Sequence, residues 1–502
     1  MGAHGEFLQR KPLPEARALL LGAVVTLEAE EISVDDAHGR VAAESVVARH
    51  PAPHYRASAM DGIAVRSADT LAAAEGPIVL RARGGDDAAC CTPVDTGSLL
   101  PEWADAVVRI EDATMVDGGY RIRSVVPRGR DVRREGEDIE AGTTLVPAGQ
   151  RIRPADVGAM LATGTKRVLV RRRPDVAILA TGGEVVEPAA GALPGQVIEY
   201  NSRVIAGMVE EWGAIPHRLG IVADDEAALA AAVLDAATRF DVVCVVAGSS
   251  AGRKDFTIAA LSAIGEVFVH GVDIAPGRPV ALARLRAGDG PSAKTTPAIA
   301  VPGYPVATIV ACEQFLRPLV AAMLGTREAR PATMHARLAR KIPSRLGVEE
   351  FRRVCLTRRA DGSHVVAALP SGAGSISTVT GAHAWLRIAS TVEGLDAGAE
   401  VEVELMVARD EIDAALVLAG SHSNATAAIE RLLRVNDPRA RVFCLGLGHH
   451  DALAAVERGE AHAAVVEEVP PSSGSQTLEF LDPPRTLVVG GPEIAARLAA
   501  LA

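Results

Sequence analysis

Aromatic side chains are scarce in this chain, 3% of 502 residues against a hydrophobic content of 48%. Its cores are therefore expected to be built from Ala, Val, Leu and Ile. Cysteine is sparse too. Cys90, Cys91, Cys244, Cys312, Cys355 and Cys444 are scattered without a CxxC pair. The adjacent Cys90-Cys91 has no metal spacing, and a disulfide between neighbours is strained, so a reduced, cytoplasmic chain is expected. No uninterrupted apolar stretch approaches membrane-spanning length. The first residues, with Glu6, Arg10 and Lys11, hold no apolar run of signal length. A soluble protein without a membrane partner is expected. Positive charge is the minority sign: Lys+Arg 52 against Asp+Glu 63 leaves a net charge of −11, which argues against nucleic acid as the main partner. A Walker pattern (GxxxxGK[ST]) is missing as well, so P-loop chemistry is not expected.

What is present is length and a changing rhythm. A chain of this size is expected to divide into roughly three to five modules. Residues 12–48 read as a helix, a strand around Ile32-Ser33-Val34 and a short helix in the Ala-Val run of 41–48. Residues 50–140 are short alternating strands such as Ile78-Val79-Leu80-Arg81, punctuated by Gly and Pro, and predict a β-rich module. Residues 141–174 return to strand and helix and end in Arg171-Arg172-Arg173-Pro174, which reads as a solvated linker. From 175 to 326 the pattern is α/β. The apolar strand Val176–Ala180 runs into Thr181-Gly182-Gly183-Glu184, a helix spans about 201–212, and Val242–Ala247 ends in Gly248-Ser249-Ser250. Buried parallel strands alternating with helices indicate a doubly wound sheet that binds ligands beyond the strands' carboxyl ends. Residues 331–407 alternate at period two with turns at Gly372, Gly374 and Gly381, predicting a β-barrel. Residues 411–502 restart an α/β rhythm.

Chemistry-bearing residues gather at the glycine-rich turns. In Ser58-Ala59-Met60-Asp61-Gly62-Ile63-Ala64-Val65-Arg66 a carboxylate stands at the mouth of a strand, and Gly62 admits a close approach that a Cβ would block. In Arg133-Arg134-Glu135-Gly136-Glu137-Asp138, cations suited to phosphate precede acids, and Asp138 suits a hard metal ion. Thr181–Glu184 offers backbone amides and the next helix to an anion. Residues 247–256 form a second Gly/Ser loop with Lys254 and Asp255, and two such loops in one α/β domain point to a phosphate crevice. Asp224-Asp225 follows the apolar Leu219–Val222, and Thr96-Gly97 reads as a turn.

The order of these motifs, with Pro101-Glu102, Asn201, Pro276-Gly277-Arg278-Pro279 and Pro302-Gly303-Tyr304-Pro305, resembles the molybdopterin molybdenumtransferases, the family of bacterial MoeA and the gephyrin E domain, over roughly residues 10–407. The resemblance implies an elongated multidomain α/β and β architecture. A discontinuous amino-terminal domain would comprise 1–49 and 141–174, followed by a β-rich module (50–140), a Mog/MoaB-like pterin-binding domain (175–326) and a barrel (331–407). It implies insertion of molybdate into adenylylated molybdopterin with release of AMP. Catalytic acids are implied at Asp61, Asp138, Glu184, Asp224 and Asp255, with Mg²⁺ on Asp61, Asp138, Glu184 and Asp255. Substrate contacts are implied at Ser58, Thr96, Arg133, Gly182, Gly183, Asn201, Ser249, Ser250, Lys254, Arg278, Pro302 and Pro305. A homodimer is implied, the partner's 50–140 module completing the site, with contacts to a Mog/MoaB-type adenylyltransferase and to a recipient molybdoenzyme.

The chain departs from the family pattern where pterin and phosphate are expected. Arg56-Ala57 stands for Asp-Asn, Ala275-Pro276-Gly277-Arg278-Pro279 for Lys-Pro-Gly-Lys-Pro, Tyr304 for an Asn, and Ala247-Gly248-Ser249-Ser250 for Gly-Gly-Val-Ser. Arg is not equivalent to Lys in a tight site. Residues 411–502 resemble one lobe of a molybdate-type periplasmic-binding fold, with Ser421, His422 and Ser423 suited to an oxyanion. The alternative function is a non-catalytic molybdate or cofactor storage or sensing protein on the same scaffold.

Overall fold

The computed structural model describes residues 10–22, 24–82, 89–188, 192–247, 256–288, 294–420, 441–466, 476–480 and 485–489, together with 429, 431, 434, 435 and 438. The chain divides into two compact units. Thr26–Arg172 with Leu324–Arg327 forms one, and the remainder forms the other.

The first unit carries a six-stranded sheet in the order Ala106–Arg109, Gly62–Val65, Cys90–Val94, Ile78–Ala82, Gly119–Ile122, Ala113–Val116. Alternation puts Ile63, Val65, Leu80, Val108 and Ile122 into one core. Beside this sheet, Ala29–Ser33 pairs antiparallel with Arg167–Arg171, and the helix Pro154–Ala162 lies between strand segments. The short helix expected in the run 41–48 is not there. The helical turn is Val34–Asp36, where the Ser33 hydroxyl accepts from the Asp35 amide. Val46–Val47, β-branched and suited to a pleat, pairs instead with Thr144–Val146. The arginine run is not a solvated linker either. Arg171 donates to the carbonyls of Leu27 (3.0 Å) and Ala43 (3.3 Å) in its own unit. Arg173 donates to those of Gly213 (3.2 Å) and Ala214 (2.6 Å) in the other.

In the second unit a six-stranded sheet runs Ile215–Val222, Asp175–Thr181, Val242–Ala247, Lys294–Pro302, Ala281–Ala287, Gly265–His270, and its first four strands are parallel. After Asp175–Thr181 the chain crosses through the helix Asn201–Trp212 to one side, then through Glu226–Arg239 to the other. The strand order therefore reverses between Asp175–Thr181 and Val242–Ala247, which sets the ligand crevice at their carboxyl ends. The helix Asn201–Trp212 buries Ile205 and Val209 and stops at Gly213, whose left-handed φ of 94° suits glycine. A continuous helical stretch, Pro305–Met323, is long and apolar enough to cross a membrane, yet it is 67% buried inside the fold and serves as a core helix.

The barrel closes through five strands. Glu349–Arg358 pairs with both His364–Ala368 and Ala384–Ile388, and the ring is completed by Thr333–Leu338 and Glu400–Leu405. The terminal segment forms a five-stranded sheet, Val442–Gly446, Leu416–Gly420, Ala463–Val466, Arg485–Val489, Gln476–Phe480, the first three strands parallel. It shares a core with the barrel: Cys355, Ala367, Leu369 and Ala382 meet Val417, Ala419, Leu445, Ala455 and Ala464. Glu460 is buried beside them, its carboxylate accepting from Arg340 (2.7 Å) and Arg458, while its carbonyl accepts from the Thr357 hydroxyl.

His383 lies in the same seam. The Leu356 amide donates to its Nδ1 (2.9 Å), which also lies 3.0 Å from the Leu356 carbonyl, its ring meets Phe443 at 3.9 Å, and its buried Nε2 has no partner. Burial first, then the nearby His462, pushes its pKa down from 6.5 to about 4, against the raising effect of the Leu356 backbone. The folded state therefore holds this ring neutral. Between pH 6.5 and about 4 the unfolded chain binds the extra proton, so stability is full above the upper value and falls as pH drops toward the lower. The loss is on the order of 3 kcal/mol. Urea unfolding at pH 7.5 and 4.5 should show this fall, and His383→Leu should flatten it; an unchanged pH dependence in the variant would remove His383 as its source.

Candidate functional site

The acidic turn of the first unit is built by its own backbone. The Ser58 amide donates to Ser98 O (2.9 Å), the Gly97 amide to Ser58 O (2.8 Å) and the Ile110 amide to Asp61 O (2.9 Å). Gly62 follows between two paired strands, where a Cβ would fall 2.0 Å from Val108 O. Asp61 stays exposed, and its Oδ1 accepts from the Thr96 amide (2.7 Å) and the Thr96 hydroxyl (2.8 Å). These bonds, the amide first, hold the carboxyl below its ordinary range, so it is ionised. Asp131, which sequence reasoning missed, supports the turn from behind: its carbonyl accepts from the Ala59 amide (2.8 Å), and Arg109 grips its carboxylate through two bonds. Its left-handed φ of 51° is tolerated by Asp, and Arg128-Gly129-Arg130-Asp131 was the available turn signal.

Ser58 corrects an expectation. It is fully buried and its hydroxyl donates to Met60 O (2.6 Å), so it shapes the turn and is not presented to a ligand. Arg133 is exposed and donates to Glu137 (2.9 Å), whose second oxygen accepts from the Arg134 amide (2.8 Å). Asp138 is exposed next to this pair, and its charge helps raise the Arg133 pKa after the larger effect of Glu137.

In the second unit a cavity of about 370 Å³ opens at the switch point, lined by Thr181, Glu184, Glu199, Asn201, Tyr304 and Pro305 among others. The Gly182 turn is tight: with φ at +144°, a Cβ there would lie 2.7 Å from Val185 Cγ2 and 3.3 Å from Glu184 Oε1. A Cβ on Gly183 would lie 4.0 Å from that of Asp224, so Glu184 and Asp224 flank one Gly-Gly turn. Glu199, buried, accepts from the Ser202 amide and hydroxyl (2.7 Å each), fixing the start of the helix that bears Asn201. Asn201 donates to Gly303 O (2.7 Å). Pro305 begins a helix, whereas Pro302 is buried in register with Ala247 and gives its carbonyl to the Thr308 hydroxyl, so Pro302 shapes the floor and is not a contact residue.

Arg278 does not line this cavity. It lines a second one of about 420 Å³ with Arg345, Glu350, Arg352, Arg353 and Ser371. Arg353 is 1% exposed and donates to Thr378 Oγ1, Pro370 O and Gly372 O. Burial, then Arg352, lowers its pKa to about 10, leaving it charged at neutral pH. Sequence reasoning named Arg278 but missed Arg345, Arg352 and Arg353. Arg353 alternates with Val354 and Leu356 and so faces away from the barrel core.

Ser249, Ser250, Lys254, Asp255, Ser421, His422 and Ser423 lie outside the described residues. Among the described residues no three His, Cys, Asp or Glu side chains gather to hold a metal. The structure thus brings together Asp61 with Thr96, Arg133 with Asp138, and Glu184 with Asp224.

A switch-point crevice on an α/β domain, an acid-bearing β module and a closed barrel on one chain define a multidomain protein whose α/β crevice suits an anionic ligand. The MoeA N-terminal region (domains I and II) matches residues 11–164, a probable molybdopterin binding domain matches 177–322, and the MoeA C-terminal region (domain IV) matches 335–406. Molybdopterin molybdenumtransferase 1 of Mycobacterium tuberculosis is 30% identical over 430 residues, 79% of this chain and 99% of that protein. A putative molybdopterin biosynthesis protein of Methanocaldococcus jannaschii is 29% identical over 75% of this chain and 92% of its own. The crystal structure of a molybdopterin biosynthesis MoeA protein from Pyrococcus horikosii superposes with a TM-score of 0.68 at 30% identity, covering 80% of this chain and all of that one. The chain belongs to the molybdopterin molybdenumtransferase (MoeA) family, proteins of molybdenum cofactor biosynthesis.

Proposed function

We propose that this protein inserts molybdate into adenylylated molybdopterin as AMP is released. The observation that carries the reading is the switch-point crevice lined by Thr181, Glu184 and Asn201, with the Gly182-Gly183 turn, flanked by Glu184 and Asp224, next to it. Molybdate, an oxyanion, suits the cavity of Arg278, Arg345 and Arg353. Glu184 and Asp224 fit Mg²⁺, which takes one or two carboxylates and completes its shell with substrate phosphates. When bound, the ion supplies charge that screens the pyrophosphate oxygens. Glu184 and Asp224 would hold that ion, and Asp61 keeps an ionised carboxylate ready at its turn. The working form in this reading is a cytoplasmic homodimer that receives its substrate from a Mog/MoaB-type adenylyltransferase and passes cofactor to a molybdoenzyme. The transferase names of the relatives favour this over the storage reading.

The test is AMP release from adenylylated molybdopterin by the purified chain, with and without molybdate and Mg²⁺. Molybdate-dependent release that stops on chelation of the metal is expected. Binding of both substrates without release would favour a carrier and overturn the transferase.

A further inference from the structure

The chain has four tyrosines, and two of them, Tyr200 and Tyr304, line the one switch-point cavity. Tyr304 is 54% exposed, unusual for a ring on a rigid support in a protein this poor in aromatics. The support is specific. The Tyr304 carbonyl accepts from the Thr308 amide (2.9 Å) and hydroxyl (3.1 Å), and the Val306 amide donates to Ala373 O (3.0 Å). One side of the ring lies against Gly374, where an added Cβ would come within 3.2 Å of Cδ1 and 3.4 Å of Cε1. The Gly374 turn is itself held by buried Arg353 through Pro370 O and Gly372 O. Among the described residues no other ring stacks on Tyr304.

A second observation concerns the cavity wall. Thr181 is 4% exposed, and its hydroxyl has no hydrogen-bond partner. Asn201 spends its amide hydrogens on Gly303 O, and its buried Oδ1 is also without a partner. Buried polar groups are normally satisfied, so two orphans bordering one cavity mark where a ligand supplies the missing bonds. Asn201 Oδ1 can only accept, while the Thr181 hydroxyl can donate or accept. An amino-substituted nitrogen heterocycle offers donors at its edge and a flat face for the ring of Tyr304.

We propose that Tyr304 is a specificity-determining residue that stacks on the planar, amino-bearing heterocycle of the substrate, with Thr181 and Asn201 reading its edge. The proposal rests on the transferase reading for the identity of that substrate. Both its adenine and its pterin have the required chemistry, and the experiment separates them.

The full chain is titrated with AMP and, separately, with a pterin monophosphate, by calorimetry or pterin fluorescence. Tyr304→Ala should weaken one of the two probes by about 5- to 100-fold. Tyr304→Phe, which keeps the face, should stay within about twofold of the native chain. The near-isosteric Thr181→Val should weaken the same probe by about 2- to 10-fold. The probe affected identifies the stacked ring. Native binding of neither probe, or unaltered binding of both by Tyr304→Ala, overturns the proposal. Molybdate-dependent AMP release on the same preparations keeps the two readings apart. Turnover with unchanged ring binding sinks the stacking alone, and ring binding without turnover sinks the transferase alone.

Discussion

Asp61→Asn lowers the rate of molybdate-dependent AMP release by about 10²–10⁴-fold, the range in which positioned acid–base groups contribute. The substitution keeps the shape of the side chain and can still accept from the Thr96 amide through its oxygen. What it removes is charge. The native carboxylate is exposed and accepts two hydrogen bonds on one oxygen, leaving the other for substrate. Because those bonds favour the ionised form, the group loses its charge only as pH falls through a value below 3.8. An acid limb at pH 5–6 in the rate profile must then come from another group and should persist in Thr96→Val, which retains the backbone bond. Rates measured from pH 5 to 9 check both points. Native turnover by the Asn variant would remove Asp61 from the chemistry.

The second large effect is on stability. Glu460→Ala is expected to cost about 1–3 kcal/mol, the range for losing hydrogen bonds to charged groups, because Arg340 and Arg458 are 40% and 36% exposed and water screens what remains. The Glu460 side chain is 3% exposed and faces two guanidinium groups, those of Arg340 and Arg458. Each already has one buried Nη2 with no hydrogen-bond partner. Deleting the carboxylate leaves two cations facing one another in the seam between barrel and terminal sheet. Glu460→Gln retains the shape and one acceptor and should cost less. Denaturant midpoints for the three proteins decide this. Equal midpoints would mean that water reaches the arginines and relieves them.

The parts of the fold legible in the sequence were those with a local signal. A continuous apolar run gave Val242–Ala247, and the α/β rhythm placed a helix at about 201–212, found as Asn201–Trp212. Period-two alternation indicated the barrel, but its closure by the pairing of Glu350 with Ile388 is a long-range event that no local pattern records. Propensity alone misled at 41–48, because the partner of Val46–Val47 lies about a hundred residues later. In the site, glycines and acids stood out one by one. Their partnerships did not: Thr96 and Asp61 meet at the ends of two paired strands, Ser58 turns inward, and Arg278 joins Arg345, Arg352 and Arg353 in a different cavity. Residue type reveals chemistry, whereas orientation depends on packing.

The seam between barrel and terminal sheet also sets an order of events during synthesis. Barrel residues Cys355, Ala367 and Leu369 leave the ribosome well before Leu445, Ala455 and Ala464, which cover them. The nascent barrel therefore waits with an uncovered apolar flank until residues through Ala464 have emerged, a natural interval for chaperone capture.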